Sequence, residues 1–533
     1  MSGVNSLRTS DIGPTFSPLS QPGCVANPVT MNKRILARPA LTLLLASVAT
    51  TALANEPATA AFEAERQINL IRTLDDAGPQ LNSVIVYDAD AARKAASDAV
   101  IGTILQGRTV LVKDNVETAE FPTTAGSLAL KGNTTGRDAP MIALLRKNGG
   151  VVLGKTNLSE WANIRSDSST SGWSAVGGLT RNPHAIDRNT CGSSSGSGAA
   201  IAAGLAWGAI GTETNGSITC PASVNGIVGF KPSVGIVSRT HVVPISSTQD
   251  TAGPMTRNVF DAALLLTAIA GVDKADAVTV GAKRAANYAA GLDTASLQGV
   301  RIGVMRDQMG NRADVKAVFN TALADLERAG AVLVDISFKP NNQMYADSFT
   351  VLMFELREEM GKYLASIPAF KEGETPRSLA DLIAFNTANP DAEMRWFGQE
   401  LFEQAETTTD RAAYETARAN ALRIAGPETL DKLLADNKVQ FLVAPTRGPA
   451  WTSDLVNGDN YNGSIGFGSP SAIAGYPHLT VPMGAVEGLP VGLSIMGAKW
   501  ADHAVLKAGA AYEKARTATL PAPTFRPWQP AGK

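Results

Sequence analysis

Histidine is scarce in this chain, with only His184, His241, His478 and His503 among 533 residues. Histidine is the side chain that most often takes the proton from a catalytic hydroxyl or thiol. Of the four, only His503 follows a carboxylate, Asp502, in a stretch that reads as a surface helix, so all four are expected to be structural. Cysteine is scarcer still, at three, and no cysteine, histidine or carboxylate group has metal-ligand spacing, so no metal is expected. A net charge of −2 provides no long-range field to draw in nucleic acid or an anionic membrane. Neither G-x-x-x-x-G-K-[ST] nor G-x-G-x-x-G after a strand occurs, which excludes the usual phosphate cradles and leaves no cofactor implied. No repeat of about 20–50 residues is visible, against solenoids and propellers. What remains, at 44% apolar and 18% charged residues, is an ordinary globular composition with ample material for a core.

The N-terminus reads as an address. Lys33, Arg34 and Arg38 precede the apolar run Ala40–Ala49, and Ala52-Leu53-Ala54 fits small-x-small cleavage, so residues 31–54 are expected to be a secretory signal peptide. The run is short of the roughly 20 residues that span a bilayer. Residues 1–30 show no hydrophobic periodicity and read as an upstream extension, with Met31 a candidate start. The exported remainder, residues 55–533, would carry 43 basic and 48 acidic side chains and two cysteines, Cys191 and Cys220. In an oxidising compartment those two could pair or stay as buried thiols, and the sequence leaves both open.

Along the rest of the chain, strand and helix patterns alternate, which favours α/β packing. Strand-like runs are Ser83–Tyr87, Thr109–Val112, Val151–Leu153, Val300–Val304, Ala331–Phe338, Val439–Val443, His478–Val481 and Val491–Ile495. Helices are expected at Met141–Lys147, Val259–Ile269, about 314–329 and about 502–516. Residues 340–435 are mostly helical and more polar, a covering subregion. The Gly/Ser-rich stretch 165–200 leads directly into the apolar run Ala199–Leu205; a loop that feeds a core helix is a site sooner than a tether.

Three residues then carry the chemistry. Lys113 ends the strand Thr109–Val112, Ser193 lies in the Gly/Ser loop, and Ser217 follows a turn through Asn215 and Gly216. A buried neutral lysine can act as base toward a serine through a second hydroxyl. Lowering its pKa by about 3 from lysine's usual 10.4 costs roughly 4 kcal/mol, within reach of desolvation. Asp114 opposes that shift and is therefore expected to point away or to bind backbone amides. Asn215 and Gly216 tolerate positive φ, so the amides of Thr214, Asn215, Gly216 and Ser217 can form an oxyanion hole. A rival motif, Gly192-Ser193-Ser194-Ser195-Gly196, matches the nucleophile elbow and would make Ser194 the nucleophile. That elbow needs a buried strand before it, and residues 182–190 cannot form one.

Together these residues resemble the amidase signature family. Val112-Lys113-Asp114-Asn115, Cys191–Gly198 and Glu213–Ser217 match its lysine, Gly/Ser loop and nucleophile turn, in the family's order and spacing of 80 and 24 residues. Thr124–Ser127, Gly154–Glu160, Arg181–Pro183 and Asp250–Met255 match its flanking segments, and the likeness runs from about residue 60 to 515. The resemblance implies a single α/β/α domain around a large mixed sheet covered by helices, with Lys113 as base, Ser193 as bridging cis-serine and Ser217 as acyl-enzyme nucleophile. Asn215 in place of the first glycine of G-G-S, Ser195 in the loop, and Cys191 with Cys220 are similar to the peptide amidase branch. That branch implies removal of the C-terminal carboxamide of peptides with release of ammonia; this chain is expected to do so without a cofactor, as an exported monomer. Amidases of aliphatic, aryl or fatty amides are the alternative, and a non-catalytic amide-binding protein is the alternative from another class. A role within a transamidosome fits an exported chain poorly.

Overall fold

Val110 and Val112 face one way and Leu111 the other, and that alternation places a strand between two apolar layers. In this computed structural model, which describes residues 59–99, 102–370 and 375–530, the valines pack with Ile142 and Leu266 and Leu111 packs with Ile201 and Leu205. Burying each such side chain stabilises the fold by about 1.5–3 kcal/mol. The strands are β1 Val84–Tyr87, β2 Thr109–Lys113, β3 Val151–Thr156, β4 Trp173–Ser174, β5 Gly178–Leu179, β6 Gly208–Glu213, β7 Val228–Lys231, β8 Thr251–Thr256, β9 Arg301–Met305, β10 Val332–Ile336, β11 Phe441–Pro445, β12 His478–Val486 and β13 Leu489–Met496. Eleven form one mixed sheet in the order β1-β3-β2-β6-β8-β7-β12-β13-β11-β9-β10, while β4 and β5 form a small hairpin. Helices on both faces make it α/β/α.

Three strands of the sheet, β6, β7 and β8, and the two short strands β4 and β5 were not expected. Thr251-Ala252-Gly253-Pro254-Met255-Thr256 reads as loop because proline and glycine are poor interior strand residues. Here it is fully buried between β6 and β7, with Pro254 opposite Ile210 and Gly253 opposite Gly211. A Cβ on Gly253 would lie 2.1 Å from the Phe230 carbonyl, so glycine is required by the close approach of β7.

The described residues between 340 and 435 fold as expected mostly into helices, among them the long Asn342–Ser366. They carry their own apolar cluster, with Met353, Leu356, Leu364 and Phe402 packed on Leu130 and Trp161. The expected signal peptide and upstream extension lie outside the described residues. Among the described residues no helix is long and apolar enough to cross a membrane.

The topology sets the position of the site. β2 runs parallel to β6, with Val110, Leu111 and Val112 opposite Gly208, Ala209 and Ile210. Their C-terminal ends therefore emerge side by side, one delivering Lys113 and the other the turn to Ser217, at the sheet edge where open α/β folds bind ligands.

Candidate active site

Lys113 is fully buried, and its Nζ lies 2.7 Å from Ser193 Oγ, 2.8 Å from Thr212 Oγ1 and 3.3 Å from the Thr212 carbonyl. Burial drives its pKa down to about 7, against the pull of Asp250 and Glu213. An ammonium would donate to all three oxygens. A neutral amine has two N–H bonds and one lone pair. Thr212 Oγ1 also accepts from Asn115 Nδ2 at 3.0 Å. With the two N–H bonds directed at Thr212, the lone pair is left for the Ser193 hydroxyl.

Asp114 behaves as expected. Its side chain turns away from Lys113 to pair with a second buried lysine, Lys155, at 2.9 Å, and to accept from the Thr124 amide at 3.1 Å and the Thr124 hydroxyl. Lys113 and Lys155 thus differ by one carboxylate: Lys155 has its own counter-ion within contact and Lys113 does not.

Ser193 lies in the loop before helix Ser195–Ala202, after a cis Gly192–Ser193 peptide. Its carbonyl accepts from the Ser159 amide at 3.0 Å. The loop fits here because Gly196 has no side chain: a Cβ would lie 2.3–2.6 Å from the backbone of Ser83 and Asn157. Ser194, the elbow candidate, is fully buried; its Oγ donates to the Thr212 carbonyl at 3.0 Å and accepts the Thr212 amide at 3.2 Å. It is a staple between loop and strand β6. Ser195 Oγ donates to the Cys191 carbonyl at 2.8 Å.

Ser217 is 8% exposed and is tied to the same loop, its carbonyl accepting from the Ser194 amide at 3.1 Å. Of the two turn residues expected to take positive φ, only Gly216 does so, at +84°. Asn215 keeps an ordinary φ, and its Oδ1 accepts from Ser469 Oγ at 3.2 Å. Buried Glu213 accepts from the amides of Ile218 and Thr219 at 2.8 and 3.0 Å, capping the short helix Thr219–Val224, and Asp250 accepts from Thr214 Oγ1 at 2.6 Å. The amides of Thr214, Asn215, Gly216 and Ser217 themselves meet no acceptor among the described residues.

Cys191 and Cys220 form a disulfide, settling what the sequence left open. It joins the Ser193 loop to the helix after Ser217 and packs with Val224, Ala450 and Trp451. None of the histidines lines the cavity over Ser217. His184 and His478 bond the Asn225 carbonyl and Ser494 Oγ at 3.0 and 2.6 Å, and burial holds both near pKa 4, neutral at pH 7. Among the described residues no three His, Cys, Asp or Glu side chains could hold a metal ion.

A cavity of about 720 Å³ opens over Ser217 and the turn Thr214–Gly216. Ile245, Phe349, Leu352 and Leu401 give it apolar lining, and Arg447, Trp451 and Tyr461 line it as well. The sequence reading missed Thr212, Asn115, Asp250 and Lys155. For Asn115 a signal existed: it stands two residues from Lys113, and both reach Thr212 Oγ1, whereas Asp114 between them reaches the other way.

Comparison with known proteins identifies the family. The family model Amidase matches residues 69–506. A probable amidase of Arabidopsis thaliana is 36% identical over 424 residues, 77% of each chain. A component of the glutamyl-tRNA(Gln) amidotransferase of Symbiobacterium thermophilum is 36% identical over 434 residues, 79% of this chain and 85% of its own. Among solved structures, the native peptide amidase from Stenotrophomonas maltophilia superposes with a TM-score of 0.81 at 44% identity, covering 88% of this chain and 95% of that one. The chain belongs to the amidase signature family and is an amide-hydrolysing enzyme.

Proposed function

We propose that the enzyme hydrolyses the C-terminal carboxamide of peptides to a carboxylate and ammonia, with Lys113, Ser193 and Ser217 as its catalytic residues. The observation that carries the mechanism is the 2.7 Å contact between a wholly buried, counter-ion-free Lys113 and Ser193. Ser217 Oγ attacks the amide carbon while its proton passes to Ser193 and the Ser193 proton passes to Lys113. The developing oxyanion is received by the amides of Thr214, Asn215, Gly216 and Ser217, one such donor being worth roughly 3–4 kcal/mol of barrier. Lys113, now an ammonium, returns the proton through Ser193 to the leaving nitrogen, and ammonia departs. Water repeats the sequence on the acyl-enzyme to release the carboxylate.

The peptide substrate is supported by the likeness to the Stenotrophomonas peptide amidase and by a cavity with both apolar and polar walls, suited to side chains and to backbone. The amidotransferase likeness favours a second reading, a protein that releases ammonia from an amide for use elsewhere. We further propose that residues 31–54 direct export and that the enzyme works as a monomer. Ammonia release from peptide amides, amino acid amides, glutamine and fatty amides, with Ser217→Ala as control, tests the reading. Preference for peptide amides supports it, and preference for glutamine supports the second reading. Substantial residual turnover by Ser217→Ala would move the nucleophile elsewhere.

A further inference from the structure

Arg447, Trp451 and Tyr461 also form one side of a second cavity, of about 460 Å³, that does not reach Ser217. Its charged lining is unusual. The Arg447 guanidinium lies 4.5 Å over the Tyr461 ring, its Nε is buried without a partner, and none of its N–H groups meets an acceptor among the described residues. Arg188 lies 4.5 Å over the Trp528 ring and donates to Thr452 Oγ1 at 2.7 Å, and its Nε too is buried without a partner. Neither has an ion pair in direct contact among the described residues, although the buried Asp459 carboxylate acts on Arg447 at longer range, whereas the third arginine of the cavity, Arg312, pairs with Asp314. Two carboxylates line the cavity as well: Asp454, which accepts from the amides of Val456 and Asn457 at 2.8 and 2.9 Å, and Glu487.

We infer that this second cavity is a subsite for a carboxylate side chain carried upstream of the scissile amide, held by Arg188 and Arg447. The inference rests on the peptide-amide reading. Since only ammonia leaves, the whole peptide lies on the acyl side of Ser217, and a chain longer than the first cavity must extend past one of its walls. The side lined by Arg447 carries guanidinium donors that meet no acceptor among the described residues and continues into the second cavity. A guanidinium fork matches a carboxylate in bidentate geometry, and the aromatic faces fix both forks before binding, which lowers the ordering cost.

The test uses the full chain and peptide amides that share their C-terminal residues and carry Glu, Gln or Lys at successive upstream positions. At one position, kcat/KM for Glu is expected to exceed that for Gln by about tenfold, the size of a charge-assisted hydrogen bond, with Lys poorer still. The preference should shrink as salt rises. Arg188→Gln is expected to bring the Glu-to-Gln ratio toward one, and Arg447→Lys to keep part of it. Should either variant fail to fold, the ratio and its salt dependence in the native chain decide. Equal turnover of the Glu, Gln and Lys peptides at every position overturns the subsite and leaves the peptide reading standing. Turnover of simple amides with none of peptide amides overturns both.

Discussion

Replacing Lys113 by methionine removes an amine that the fold must hold neutral, and the effect on stability depends on pH in a calculable way. Burial lowers the Lys113 pKa from 10.5 to about 7, so the unfolded chain binds this proton more tightly than the folded one. Between those two values stability rises with pH, and below about 7 the full cost is present. Linkage with these values gives a cost of about 5 kcal/mol at pH 6 and about 2 kcal/mol at pH 9. Methionine has a similar length and no proton. It also abandons Ser193 and Thr212, a loss of about 1–3 kcal/mol for each hydroxyl left unsatisfied, which does not vary with pH in this range. The absolute stability of Lys113→Met is thus a balance of two opposed terms, but the difference from the parent is not. The parent should gain about 3 kcal/mol on the variant between pH 6 and pH 9. Urea denaturation of both proteins at pH 6, 7, 8 and 9 measures this. Parallel profiles would refute the reasoning, since they would mean that Lys113 keeps an ordinary lysine pKa and is not available as a neutral base.

The same lysine sets the activity profile: kcat/KM should rise with pH through about 7 and level off above it, because only the neutral amine accepts a proton. Asp114→Asn should cost about 3–5 kcal/mol by leaving Lys155 buried without its carboxylate, and adding Lys155→Met should recover most of that in thermal melts. Cys220→Ser opens the loop that the disulfide closes over 29 residues, and should lower stability by about 3.5 kcal/mol. Reductant should lower the urea midpoint of the parent and leave that of Cys220→Ser unchanged.

The chemistry of this site was legible because it lies in short contiguous stretches. A β-rich run ending in Lys113 and a Gly/Ser loop feeding a core helix each predict where a side chain will emerge; the parallel pairing of β2 with β6 sets Lys113 beside the turn to Ser217, and Ser194 ties the loop to β6. The expected behaviour of Asp114 followed from electrostatics alone: a carboxylate on Lys113 would have kept it charged. What sequence did not reveal depends on long-range contact. Strand β8 was hidden by Gly253 and Pro254, which local propensity assigns to a loop but which here suit a backbone squeezed between two neighbours. Positive φ at Asn215 was allowed by residue type, yet the turn needs it only at Gly216. The cavity walls come from residues near 164, 245, 350, 401 and 450, and nothing local links those segments.

The proposed reacting groups and the walls also belong to different parts of the molecule. Lys113, Ser193 and Ser217 are fixed by the ends of β2 and β6 and the loop stapled to them, whereas Phe349, Leu352 and Leu401 come from a helical layer with an apolar core of its own. Substitutions in that layer are therefore expected to reshape which amides enter while leaving the proposed proton path untouched.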